Sequence, residues 1–413
     1  MKHLVTAPHD LIADITLPSS KSISNRVLIT NILSRQPREI ENISVCDDTH
    51  VMISALTRNE HEIDVKGAGT AMRFLTAYLS CKPGKWTLTG TERMKNRPIK
   101  LLVNALRSVG ARIEYLEKEG FPPLRIAGHT LSGGEVVLDG SVSSQYISAM
   151  LLVAPIMVNG LRLHLKGEII SKPYINLTIK LMRKYGVIVY EEGQTFAVPP
   201  QQYSCMDDFT VESDWSAASY WYEMVALSRD ENAEVRLSGL QQDSLQGDSE
   251  IVRIFEGLGV NTTFTPTGVT LSKCKPTLRK PVIYDFITMP DMAQTVAVTC
   301  CMLDIPFIFN GVQSLRIKET DRLEALKNEL AKLGFPLLIH DDRILEWRGD
   351  RCEADANPLI NTYEDHRMAL SFAPVTLRLQ EGIRIADPEV VSKSYPNFWD
   401  DLQQAGFQIE TLE

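Results

Sequence analysis

Charged side chains crowd the segment Leu315-Arg-Ile-Lys-Glu-Thr-Asp-Arg-Leu323, which carries Arg316, Lys318, Glu319, Asp321 and Arg322. An apolar run over 305–310 precedes them and an amphipathic helix over 323–333 follows. At such a strand-to-helix junction an anion is favoured by the helix N-terminus and by Lys and Arg together. A carboxylate held among those cations can move a proton. A solvated helix start would carry the same charges, so this stretch alone leaves both readings open.

The other helix-opening loops bear on the choice. Leu17-Pro-Ser-Ser-Lys21-Ser22-Ile-Ser-Asn-Arg26 sets two cations at the start of a helix over 22–33, where the dipole prefers acids, so they fit an anion better than a cap. Lys66-Gly-Ala-Gly69-Thr-Ala-Met-Arg73 is a small-residue turn into a helix over 71–79, open to close backbone approach by a ligand. Arg97 stands before the Pro-started helix that follows it. Ser143, Ser144 and Gln145 open an apolar helix over 146–157, and Ser171 repeats the arrangement one unit later. Asp291 begins a helix over 292–303, Arg367 opens one over 368–377, and Lys393 precedes the last helix. Singly, each is an ordinary cap or dipole acid. Brought together by a pseudo-symmetric fold, they make one cationic cleft suited to substrates with several negative charges.

The elements that must position these loops form a repeat. An amphipathic helix, a glycine and a strand recur around Gly110, Gly186, Gly259, Gly334 and Gly406, glycines spaced 72 to 76 residues apart. A degenerate sixth copy without its glycine is read over 51–65. About six α/β units imply two domains of three units each, with the site between them. The 413 residues are enough for such domains, and the 44% hydrophobic and 23% charged composition is that of a globular protein. A net charge of −9 and a pI near 5.5 argue against a general nucleic-acid or membrane partner. The seven scattered cysteines read as reduced core thiols, and the lack of an apolar leader or spanning run points to the cytoplasm. No metal-ligand spacing, phosphate loop or complete dinucleotide fingerprint is present.

Taken together, Asp139-Gly-Ser-Val-Ser-Ser-Gln145, Ile317-Lys-Glu-Thr-Asp-Arg322 and Asp365-His-Arg-Met368 resemble the 3-phosphoshikimate 1-carboxyvinyltransferase (EPSP synthase) family of enolpyruvyl transferases. The resemblance runs from Leu17 to Pro396. It implies a two-domain inside-out α/β barrel of six βαβαββ-type repeats, one domain over 20–211 and the other over 1–19 plus 212–413. It implies transfer of the enolpyruvyl group of phosphoenolpyruvate to the 5-hydroxyl of shikimate 3-phosphate, without cofactor or metal, by a monomer. By position, Asp291, Glu319 and Lys21 are implied as the proton-moving residues. Lys21, Ser22, Arg26, Ser143, Ser144, Gln145, Ser171, Asp291 and Lys318 are implied for shikimate 3-phosphate. Lys21, Gly69, Arg97, Gln145, Arg322, Arg367 and Lys393 are implied for phosphoenolpyruvate. The sequence departs from the family pattern at Ser19 (usually Gly), Gly67 (usually Asn), Phe74 (where Pro is common) and Ser314 (an Asn-like position). A nucleotide-sugar enolpyruvyl transferase would want a Lys-Asn pair where Lys21-Ser22 stands.

Overall fold

The repeat glycines all lie in the left-handed region that a helix-ending turn demands. Gly110, Gly186, Gly259, Gly334 and Gly406 have φ of 107°, 75°, 97°, 89° and 91°. Each closes a helix and hands the chain to an outer strand. The computed structural model describes residues 1–58, 60–141, 143–204, 208–278 and 281–413. Its chain divides into two units, Ser19–Val211 and Met1–Pro18 with Glu212–Glu413.

Within Ser19–Val211, one sheet runs Glu62–Asp64, Gly84–Thr89, Leu124–Gly128, Arg112–Tyr115. A second runs Gly134–Asp139, Leu161–Lys166, Thr195–Val198, Tyr190–Glu192. In both, the first two strands are parallel and the remaining pairings antiparallel. Among the described residues the other unit has three sheets of the same plan. The first runs Ile12–Thr16, Glu234–Ser238, Gly268–Lys273, Val260–Thr265. The second runs Val282–Asp285, Phe307–Asn310, Ile344–Trp347, Leu338–His340. The third runs Leu359–Ile360, Ile383–Ala386, Lys2–Thr6, Gln408–Leu412. The two N-terminal strands thus complete sheets whose other members lie beyond residue 230. A parallel pair needs a crossover, and helices Gly69–Cys81, Ser144–Val153, Ala293–Met302 and His366–Phe372 supply it in four of these sheets.

The sixth sheet is reduced to a parallel pair, Ile40–Glu41 with Phe209–Thr210. The segment over 51–65 is therefore not a degenerate sixth copy. Its helix, Asp47–Thr57, ends on an extended Arg58 because no glycine turns the chain, and Glu62–Asp64 leads a sheet instead of closing one.

The helices are the interior and the sheets the outer layer of each unit. Helix Trp215–Leu227 is buried at every residue but Ser216, and Ser144–Val153 at every residue but Gln145. Helices apolar all round need such a place. The strands instead alternate, as in Ile12–Thr16 and Leu161–Lys166, with one face on the helices and one in solvent. Two helices are shorter than their apolar runs suggest. The α-helical part stops at Val153 and at Phe372, and 3-10 turns Ala154–Ile156 and Ala373–Arg378 carry the chain on. Pro155 and Pro374 cause this, since each lacks the N–H that an α-helix needs and clashes with the turn before it.

Cys46, Cys300 and Cys301 are buried as expected, whereas Cys274 and Cys352 are exposed. Cys205 lies outside the described residues, as does Val142 of the Asp139–Gln145 motif. Among the described residues no helix is long and apolar enough to cross a membrane.

The repeat turns predict a stability effect. At Gly186 an added Cβ meets nothing closer than the Ser204 carbonyl oxygen at 3.3 Å, so backbone strain dominates. Gly186→Ala is expected to cost about 1–2 kcal/mol, read as a lower urea midpoint.

Candidate active site

In the unit Ser19–Val211, four helices start side by side: Lys21–Ile32, Gly69–Cys81, Ser144–Val153 and Lys172–Lys184. Arg26 ties three of them together. Its Nε donates to Thr178 Oγ1 at 2.8 Å, and its Nη atoms donate to the Ser22 carbonyl at 2.8 Å, the Tyr174 carbonyl at 3.4 Å and Ser148 Oγ at 3.5 Å. These acceptors are neutral, and no carboxylate pairs with Arg26 among the described residues. Burial to 3% exposure pushes its guanidinium down to about 10, which still leaves it charged at neutral pH.

The second pairing joins Gly69 to Arg97. The Arg97 guanidinium lies so near that a Cβ on Gly69 would stand 2.6 Å from Nη1, so any larger residue there would have to displace that guanidinium. Arg73 braces the arrangement, donating from Nη1 to the Gly69 carbonyl at 3.1 Å and from Nη2 to the Pro98 carbonyl at 3.3 Å. Gln145 joins the same group through Thr70, whose Oγ1 accepts from Nε2 at 3.3 Å. Ser143 caps its helix by accepting from the Gln145 N–H at 3.3 Å, and Ser144 is buried beside it. Ser171 is held at φ 54°, a strained position for a non-glycine residue, immediately before Lys172–Lys184. Lys21 opens its helix in an ion pair with Asp48 at 3.2 Å. Ser19, the first of the departures, donates to Asn42 Oδ1 at 2.8 Å.

The other unit repeats the convergence with acids. Helices Trp215–Leu227, Arg322–Lys332 and His366–Phe372 are capped by Asp214, Asp321 and Asp365, and Asp291 sits in the turn Pro290–Met292 ahead of Ala293–Met302. Carboxylates belong at these N-termini. Arg322, 1% exposed, is the hub. It donates from Nε to Asp365 Oδ2 at 2.7 Å, from Nη1 to Asp291 Oδ1 at 2.9 Å and from Nη2 to Glu319 Oε2 at 2.9 Å. Burial opposes its charge, but Asp365, Glu319 and Asp291 more than offset that and hold the guanidinium above its ordinary value.

Asp291 in turn meets three cations: Lys318 at 3.0 Å, Arg322 at 2.9 Å and Arg367 at 3.3 Å. Burial would raise its carboxyl pKa, yet Lys318, Arg367 and Arg322 together hold it well below the usual carboxylate range. Arg367 also donates to the Tyr220 hydroxyl at 3.2 Å and to Ser216 Oγ at 3.4 Å. Lys393 ends the turn Pro388–Lys393 against helix His366–Phe372 and makes no ion pair among the described residues. Ser314 is buried, with no hydrogen-bond partner for its hydroxyl among the described residues.

The residues singled out from the sequence therefore fall into two groups. Lys21, Ser22, Arg26, Gly69, Arg97, Ser143, Ser144, Gln145 and Ser171 lie in Ser19–Val211. Asp291, Lys318, Glu319, Arg322, Arg367 and Lys393 lie in the other unit. Sequence reasoning misses several supporting residues. Asp365 grips Arg322 and is fully buried, and it is itself set by two left-handed residues, Tyr363 and Glu364. Buried Glu329 pins that turn, accepting from the Tyr363 hydroxyl at 2.6 Å and the Asn361 N–H at 3.0 Å. Asp48, which holds Lys21, and Asp248, which accepts from Ser216 Oγ at 2.6 Å, escape it as well. The acid two positions before Arg367 is the one signal in the sequence for any of these.

The sequence matches the family model for EPSP synthase (3-phosphoshikimate 1-carboxyvinyltransferase) over residues 5–59 and 55–402. It is 55% identical over 414 residues to a 3-phosphoshikimate 1-carboxyvinyltransferase of Bacteroides fragilis (strain YCH46), covering 100% of both chains. It is 36% identical over 433 residues to that of Vibrio cholerae serotype O1 (strain M66-2), covering 98% of this chain and 99% of the relative. A solved structure of EPSP synthase from Acinetobacter baumannii shares the fold with a TM-score of 0.76 at 20% identity, over 99% of each chain. The chain belongs to the EPSP synthase family.

Asp248 gives a pH-dependent prediction. Burial first, then repulsion from Asp291, pushes its carboxyl from 3.8 up to about 6. The folded state keeps a proton that the unfolded chain has released, so this group's contribution falls as pH rises from about 4 to about 6 and is flat above. Asp248→Asn keeps the Ser216 contact and removes the penalty. The variant is expected to gain on the order of 3 kcal/mol over the parent at pH 7 and nothing below pH 4, read from urea midpoints.

Proposed function

We propose that this chain transfers the enolpyruvyl group of phosphoenolpyruvate to the 5-hydroxyl of shikimate 3-phosphate and releases phosphate, as a step of the shikimate pathway. The observation that carries the reading is the shared guanidinium. Asp291 and Glu319 sit on the same buried Arg322, so two carboxylates of opposite duty are held in fixed relation.

In this scheme Glu319 gives a proton to C3 of phosphoenolpyruvate. The 5-hydroxyl oxygen bonds to C2 and its proton passes to Asp291. The tetrahedral intermediate then loses phosphate from C2, which leaves with the proton held by Asp291, and a proton from C3, which returns to Glu319; the double bond is restored and both carboxylates are regenerated. Lys21 shares the proton traffic. Ser22, Arg26, Ser143, Ser144, Gln145, Ser171 and Lys318 hold shikimate 3-phosphate. Gly69, Arg97, Arg322, Arg367 and Lys393 hold phosphoenolpyruvate, with Lys21 and Gln145 contributing to both. The reading includes a monomeric cytoplasmic enzyme that uses no cofactor.

In the free site the electrostatics hold Asp291 back from this duty. A base clamped by three cations is a poor base, since the best catalytic pKa lies near the working pH. Substrate phosphate and carboxylate groups compete with Asp291 for Lys318 and Arg367. As they draw those cations away, the Asp291 carboxylate regains basicity, so substrate binding itself readies the base. Arg26, a buried cation with only neutral protein acceptors, suits the shikimate carboxylate.

Phosphate release from phosphoenolpyruvate tests the reading. Release is expected to require shikimate 3-phosphate, and release at the same rate without it would overturn the assignment. Glu319→Gln and Asp291→Asn are each expected to lower kcat by about 10²–10⁴-fold while the protein stays folded.

A further inference from the structure

Phe74 departs from the family pattern at a place where proline is common. It is 1% exposed, in the second turn of helix Gly69–Cys81, and its ring lies under the Arg26 guanidinium with Cζ 5.3 Å from the ring centre. A guanidinium has two ways to be stabilised. Its N–H groups donate in the plane, and its faces stack on aromatic rings. The in-plane contacts of Arg26 go to hydroxyls and carbonyls of three helices. The ring of Phe74 lies beneath the charged carbon Cζ, adding an aromatic face to these contacts.

We propose that Phe74 is a positioning residue that holds the Arg26 guanidinium in place of a counter-carboxylate, keeping its charge unneutralised for the carboxylate of the incoming substrate. The proposal rests on the assignment of Arg26 to shikimate 3-phosphate and adds the residue that makes that assignment physically workable. A buried arginine is ordinarily paired with an acid, and an acid here would cancel the charge that the substrate needs. An aromatic face attracts the cation without neutralising it. Proline at this position would offer neither a ring face of that kind nor reach to Arg26.

The placement also separates two tasks along one helix. Arg73 reaches to the Gly69 and Pro98 carbonyls, while Phe74 serves Arg26. Loss of the Phe74 ring is therefore expected to act on one substrate and not on the other.

The test is to compare the full-length parent with Phe74→Leu, Phe74→Met and Phe74→Tyr in binding of shikimate 3-phosphate alone by calorimetry and in steady-state kinetics with both substrates. Leucine and methionine fill the space without a ring, so one stands in if the other does not fold. The ringless variants are expected to weaken shikimate 3-phosphate binding, and raise its KM, by about three- to thirtyfold. The KM for phosphoenolpyruvate should stay within about twofold, and Phe74→Tyr should restore parental binding. Unchanged binding in the ringless variants, an equal rise in both KM values, or a tyrosine variant as weak as leucine would each overturn the proposal. A parent that binds no shikimate 3-phosphate would instead overturn the functional reading beneath it.

Discussion

Arg322 is the charge on which the second unit's site depends. It is a fully charged group with almost no contact with water, and three carboxylates converge on it from separate segments. Taking such a cation out of water costs several kcal/mol unless its hydrogen bonds are met, and removing one partner of a buried pair costs about 3–5 kcal/mol. That requirement fixes geometry. Asp365 meets Nε and Nη2 together, Asp291 meets Nη1, and Glu319 meets Nη2. A side chain bound on so many sides cannot reorient, so the two carboxylates proposed for proton transfer are fixed by the need to keep Arg322 charged.

The two units solve the same problem with opposite charge. Both gather helix N-termini, which carry partial positive charge. In the second unit Asp214, Asp291, Asp321 and Asp365 occupy them, the arrangement that stabilises helices. In Ser19–Val211 the corresponding starts carry Lys21, a glycine crowded by Arg97, and serines, with Arg26 one turn inside. Nothing in helix stability favours cations there. They add to a positive field already present, which an anionic ligand would answer.

Local rules make the frame legible. A glycine that must be left-handed, a hydroxyl that caps and a helix apolar all round are decided within a few residues, and the five repeat turns follow from that. Apolar periodicity misleads at Pro155 and Pro374, where it continues but the backbone hydrogen bond does not. The site is legible only as a set of helix starts. Which start meets which is a long-range matter, since Arg26 reaches Thr178 across 152 positions and Arg322 reaches Asp365 across 43. Asp48, Asp248 and Glu329 carry no local mark that separates them from surface acids, and burial alone reveals them. The individual roles come from the family resemblance, because spacing cannot tell a phosphate-binding serine from a cap.

The central claim is that Asp291 is masked by cations until substrate anions draw them off. It is tested most directly by carbon-13 magnetic resonance of aspartate-carboxyl-labelled enzyme, with Asp291→Asn to assign the signal. Spectra would be recorded from about pH 4 to about pH 8, without ligand and with shikimate 3-phosphate. The account predicts an Asp291 carboxyl that stays ionised throughout that range in the free enzyme and whose titration moves upward into it when the substrate binds. The same titration in both states would contradict it.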